Sequence, residues 1–176
     1  MKQFTTITCC LFILALFSAE EIFAGTFTAT TSGNWNSGTT WGNPGNDTAG
    51  VGYPDVGDTA NIHVTNSTAV NVTIPSGFAA SAALLVFNDG LLQNNAVLSF
   101  TDATSSLNVS GDVIMKAPAA VTTAKNSGVV LNGGTLTIDG ALTLNSQKNS
   151  LSYISKLVFT GGGNVTVGGE IGRAHV

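Results

Sequence analysis

Three segments of the chain, LNVSGDVIM from Leu107, LTIDGALTL from Leu136 and VTVGGEI from Val165, align without gaps at successive offsets of 29 residues. In each, the first and third residues are apolar and the fifth is glycine, namely Gly111, Gly140 and Gly169. The two complete copies add apolar residues at the seventh and ninth positions: Val113 and Met115, then Leu142 and Leu144. A second short apolar strand precedes each copy, marked by Leu98 and Phe100, Val129 and Leu131, and Leu157 and Phe159. Alternation of this kind places one set of side chains on a buried face and the other on a solvated one. Short strands repeated at this period cannot each bury an apolar face alone, and stacking the copies is what closes the core.

The pattern predicts an all-β chain, a right-handed parallel β-solenoid (β-helix) with an irregular Trp-containing N-terminal cap. The repeats turn at Gly and Asn and keep the same inward alternation at a fixed offset, whereas hairpins would need paired strands around tight turns. A β-sandwich of hairpins is the alternative. Asn88, Asn94, Asn132 and Asn145 suit bends that tolerate left-handed backbone. Ala79 to Phe87 (AASAALLVF) is rich in helix formers and reads as a short helix as readily as a strand.

Four segments follow along the chain. Lys2, an apolar run from Ile7 to Ala19, and Phe23-Ala24 before Gly25 read as a secretory signal peptide over residues 1–24. The run is short of the roughly 20 residues that span a bilayer, so the expected location is secreted, extracellular or cell-surface, with no membrane insertion after cleavage. Residues 25–58, rich in Gly, Asn, Ser and Thr and holding both Trp residues, read as the cap region, and residues 59–170 as the solenoid repeats. Residues 171–176, Ile-Gly-Arg-Ala-His-Val, contain the chain's one arginine and match what a reading frame of a common short-read sequencing adapter encodes. They are read as an adapter artefact, and the natural chain is expected to continue into further coils.

Composition narrows the chemistry. Charged residues make up 9% of the chain, against roughly 25% in ordinary soluble domains, so hydroxyls and amides must keep the surface wet. A net charge of −4 with six Lys+Arg leaves no phosphate-neutralising stripe, and nucleic acid is not an expected partner. Both cysteines, Cys9 and Cys10, lie inside the signal segment, so the mature chain has no disulfide and no thiolate metal site.

The run Ser32-Gly33-Asn34-Trp35, then Thr40-Trp41, Tyr53-Pro54 and Gly57-Asp58-Thr59-Ala60-Asn61-Ile62, followed by VNVTIPSG from Val70, resembles the opening of secreted bacterial cell-surface β-solenoid proteins. Those include adhesins, autotransporter-type passengers and cargo of type IX secretion. The resemblance implies a structural or adhesive surface module without catalysis. A glycan-binding or glycan-degrading β-helix protein is the alternative.

Few residues offer chemistry. Trp35, Trp41 and Tyr53 are the weak candidate ligand contacts, because a flat ring matches the C–H face of a sugar; the competing role is to close the open end of the first coil. Asp55, Asp58, Asp89, Asp102, Asp112 and Asp139 do not recur at the repeat offset. Gly133-Gly134-Thr135-Leu136-Thr137-Ile138 also breaks the calcium-repeat spacing, so no metal or cofactor is assigned, and turn roles are expected for Asp112 and Asp139 beside the repeat glycines. His63 alternates with Ile62 and Val64 and stands alone, which gives no nucleophile–base pair, and no catalytic residue is assigned. Expected partners are surface glycans or other cell-surface proteins, with end-to-end or edge association. Thr73, Thr137, Thr143 and Thr166 would form an ice-binding row if they stacked on one flat face.

Overall fold

The computed structural model describes residues 24–29, 31–63, 68–87, 95–116, 125–146 and 153–175. Within them the chain is a parallel β-solenoid of four turns, each contributing one strand to each of three sheets. The turns are β4 (Val70–Ile74), β5 (Ala79–Ala82), β6 (Leu84–Phe87); β7 (Ala96–Phe100), β8 (Ser106–Val109), β9 (Val113–Met115); β10 (Lys125–Val130), β11 (Thr135–Ile138), β12 (Leu142–Ser146); and β13 (Tyr153–Val158), β14 (Asn164–Val167), β15 (Ile171–His175). Ahead of them lie β1 (Thr26–Ala29), β2 (Gly33–Asn34) and β3 (Thr59–Ile62). The sheet orders are β1-β3-β6-β9-β12-β15, β2-β4-β7-β10-β13 and β5-β8-β11-β14, and every strand pair is parallel. The β-sandwich alternative is thereby excluded, because that arrangement joins neighbours in antiparallel hairpins.

Register follows the apolar alternation. In the four-stranded sheet Ala80, Leu107, Leu136 and Val165 lie one above another, and so do Ala82, Val109, Ile138 and Val167. In the five-stranded sheet the inward column is Val72, Leu98, Val129 and Leu157. In the six-stranded sheet it is Ala60, Leu85, Val113, Leu142 and Ile171. A one-residue slip would turn each column outward, so burial of the axis fixes the pairing. The axis is mainly apolar: Leu98, Phe100, Val109, Val113, Met115, Val129, Leu136 and Ile138 are fully buried.

The repeat glycines have a common cause. Gly111, Gly140 and Gly169 stack at the corner between the four- and six-stranded sheets, where the Gly140 N–H donates to Gly111 O (3.0 Å) and the Gly169 N–H to Gly140 O (2.9 Å). A Cβ on Gly140 would lie 2.6 Å from Gly111 carbonyl atoms, and one on Gly169 would lie 2.7 Å from Gly140 O. The backbones are too close for any side chain.

Two local expectations are corrected. Ala79 to Phe87 is not helical: β5 and β6 flank a bend at Ala83, because Ala80 and Ala82 stack on Leu107 and Val109, and that pairing overrides helix propensity. Asn145 lies inside β12 rather than at a bend. Asn132 does take the left-handed backbone, at φ 44°, while Asn88 and Asn94 lie outside the described residues.

The corner geometry generates a prediction. Gly140→Ala forces the stacked corners apart and lowers stability by about 2 kcal/mol, whereas Thr137→Ala on the outer face stays within about 0.5 kcal/mol. Urea unfolding of both variants checks the contrast.

Candidate functional site at the aromatic cap

Between β2 and β3 the chain leaves the strand pattern and closes the N-terminal end of the core. Trp35 enters this region directly after β2, its N–H donating to Thr73 O (2.7 Å). A 3-10 turn, Gly38–Trp41, then returns Trp41 toward it and ends at Gly42 in the left-handed region (φ 80°). The Trp41 indole Nε1–H donates to Trp35 O (2.7 Å), and the two rings meet edge to face at 5.1 Å and 74°. Trp35 is 0% exposed and Trp41 is 4% exposed. Tyr53 is half-buried and packs edge to face on Phe78 at 6.0 Å.

The rings of Trp35 and Trp41 are thus packed into the core rather than presented to solvent. Tyr53 alone of the three retains partial exposure.

The region is stapled to the solenoid by acids. Asp58, 2% exposed, accepts the Gly25 N–H on Oδ1 (2.7 Å) and the Asp55 N–H on Oδ2 (2.8 Å), joining the segment before β1 to the loop before β3. Its own carbonyl accepts the Ala83 N–H (2.7 Å). Asp55 Oδ1 accepts the Ser81 hydroxyl (2.8 Å) and the Val56 N–H (2.7 Å). Asp47 Oδ1 accepts the Gly38 N–H (2.7 Å). Each acid satisfies backbone donors that an irregular loop leaves unpaired.

The remaining acids are dispersed. Asp102 sits at the corner between the five- and four-stranded sheets, accepting the Thr104 N–H (2.8 Å) and the Thr104 hydroxyl (2.6 Å). Hydrogen bonds from Ser76 and Thr104 lower its pKa from 3.8 to about 2. Asp112 Oδ1 accepts the Ala141 N–H of the next turn (2.8 Å). Asp139 is exposed, and Asp89 lies outside the described residues. His63 is half-buried just after β3, its N–H donating to Ala29 O (3.0 Å). Among the described residues no group of three or more His, Cys, Asp or Glu is placed to hold a metal ion.

The outer face of the four-stranded sheet is plain. Outward positions of the four-stranded sheet are Ala79, Ser106, Thr135 and Asn164 in one column and Ser81, Asn108, Thr137 and Thr166 in the other. The proposed threonine row does not form. Thr137 and Thr166 are neighbours, but Thr73 belongs to the five-stranded sheet and Thr143 to the six-stranded one. Equal repeat spacing aligns positions within one face only, and Thr73 and Thr143 occupy other repeat positions than Thr137 and Thr166.

Sequence reasoning missed the staple role of Asp58 and the corner role of Asp102. A signal existed for Asp58, which stands after Gly57 and directly before a strand where loop amides need an acceptor. Compared with protein-family models, curated proteins and solved structures, the chain finds no match. Among the described residues no helix is long and apolar enough to cross a membrane.

Two outcomes follow from these acids. Asp58→Ala strands the Gly25 and Asp55 amides and lowers stability by about 3 kcal/mol, read by chemical unfolding. Asp102 has its folded pKa depressed, so its contribution is complete above the unfolded value and is lost as pH falls through about 2. Thermal midpoints measured between pH 5 and 2 should therefore fall less steeply in Asp102→Asn than in the parent.

Proposed function

We propose that the chain is a secreted cell-surface structural or adhesive module without catalytic activity of its own. One observation carries the reading: the outward columns of the four-stranded sheet hold Ser, Thr and Asn, with Ala79 at one end, and no aromatic or acid. A carbohydrate-processing groove would gather rings and carboxylates on one lateral face. Here the Trp rings support the core and the cap acids bind backbone amides.

A solenoid whose four-stranded face is lined by hydroxyls and amides suits a spacer that holds other parts of a surface assembly away from the cell. Residues 1–24 supply the expected route out of the cytoplasm. The finer kinship with adhesins, autotransporter passengers or type IX cargo rests on the Gly33-Asn34-Trp35 to Ile62 segment and its likeness to their opening sequence.

Expression with its own N-terminus in a bacterial host, followed by fractionation and N-terminal sequencing, should recover an exported chain beginning at Gly25. Retention in the cytoplasm with Met1 intact would contradict the reading. The exported chain, incubated with a panel of polysaccharides, should release no reducing ends and show no saturable binding. Saturable binding abolished by Tyr53→Ala would replace this reading with a glycan-binding module.

A further inference from the structure

Asn132-Gly133 is the one Asn-Gly dipeptide in the chain. Asparagine before glycine is the sequence most open to spontaneous deamidation, because no side chain on the following residue blocks its backbone nitrogen from reaching the Asn carbonyl carbon. This dipeptide forms the third-turn corner between the five- and four-stranded sheets, with Asn132 exposed and Gly133 buried. Water therefore reaches the site.

Every group that the reaction needs is held by a neighbouring turn. The Gly133 N–H, whose nitrogen would attack, donates to Thr160 O (2.6 Å). Asn132 Oδ1 accepts the Thr160 hydroxyl (2.5 Å), and the same hydroxyl oxygen accepts the Asn132 N–H (3.2 Å). Asn132 Nδ2, the leaving nitrogen, donates to Phe100 O on the opposite side (2.9 Å). The carboxamide is thus stretched between the second and fourth turns, and the nucleophile is occupied by the fourth.

We propose that Asn132-Gly133 is a deamidation site that the stacked corners hold closed, and that it reacts when Thr160 parts from it. The Gly133 nitrogen then loses its proton to solvent and bonds to Asn132 Cγ, the Cγ–Nδ2 bond breaks, and ammonia leaves from a five-membered imide. Water opens the imide at either carbonyl. Breaking the new Cγ–N bond restores the peptide with an aspartate; breaking the original peptide bond gives an isoaspartyl linkage through the side chain.

Neither product fits back. Aspartate has no donor for Phe100 O and sets an anionic oxygen against that carbonyl. The isoaspartyl form adds a backbone methylene at a corner whose register is fixed above and below. Separation of the turns is therefore recorded covalently, and the record keeps them from reclosing.

The test follows Asp and isoaspartyl formation at position 132 by peptide mass spectrometry, on protein held at neutral pH either folded or in urea. Folded protein should convert at least about tenfold more slowly than unfolded, since the reaction waits on local opening. Equal rates would overturn the proposal. Thr160→Val should raise the folded rate several-fold and leave the rate in urea unchanged, while Thr160→Ser should restore protection; no change in Thr160→Val would also overturn it. The Asn132→Asp variant should melt below the parent at pH 7, and the gap should narrow near pH 3, where a protonated carboxyl can donate to Phe100 O. An Asn132→Asp variant as stable as the parent at pH 7 would remove the claim that the turns fail to reclose.

Discussion

Each turn must hydrogen-bond to the one before it through parallel strands in three sheets at once, and the rest of the structure depends on that constraint. Parallel pairing aligns equivalent residues, so whatever points inward in one turn lies on its counterpart in the next. A charge placed in such a column would be stacked among buried apolar side chains, where no counter-ion can follow it. The columns are accordingly Val, Leu, Ile, Phe, Met and Ala, with the uncharged Ser127 buried among them. The low charge of the chain is the compositional trace of this arrangement. Close corner stacking also explains why glycine recurs at a fixed place: Gly111, Gly140 and Gly169 stand where one backbone passes almost against the next.

A stacked core must be closed where stacking begins, and the N-terminal region does this without regular structure. Its two tryptophans bring large apolar volume, and each indole N–H has a carbonyl acceptor, Pro54 O for Trp35 and Trp35 O for Trp41. Irregular backbone then leaves amides that no neighbouring strand can satisfy. Asp47, Asp55 and Asp58 accept those amides, which is why the acids of this region are tied up in the cap. Carboxylates used this way are held by donors already present in the fold, and among the described residues no three acids, histidines or cysteines are placed to hold a metal ion. The same economy holds at the corners, where Asp112 and Asn132 tie one turn to its neighbour and Asp102 holds its own corner through Thr104.

Much of the solenoid was legible because three turns repeat at 29 residues. The turn from β4 to β6 escaped self-comparison for two reasons. Ala80 precedes its counterpart Leu107 by 27 positions rather than 29, and alanines fill the inward sites that larger residues occupy later. Its helix-like composition completed the disguise; only pairing with the next turn makes it a strand. The fate of the tryptophans was undecidable from residue type, since a ring that caps a core and a ring that binds a sugar have the same side chain. Burial separates them. The corner bonds of Asn132 were likewise invisible, because their partners Phe100 and Thr160 stand 32 and 28 residues away and carry no motif. The threonine row failed for the converse reason: residue type was visible, but the face each threonine occupies depends on its place within the repeat.

The most direct test of the account is disulfide trapping of the register in a chain that, from Gly25 on, contains no cysteine of its own. Asn108 and Thr137 are in-register partners on the outer face of adjacent strands, about 4.8 Å apart between Cα atoms, within the range that a disulfide spans. Asn108→Cys combined with Thr137→Cys should therefore oxidise rapidly within one folded chain, while Ser81→Cys combined with Thr137→Cys, two strands apart in the same column, should not. Failure of the first pair to cross-link while the second does so would contradict parallel stacking in this register, and with it the assignment of every inward and outward face.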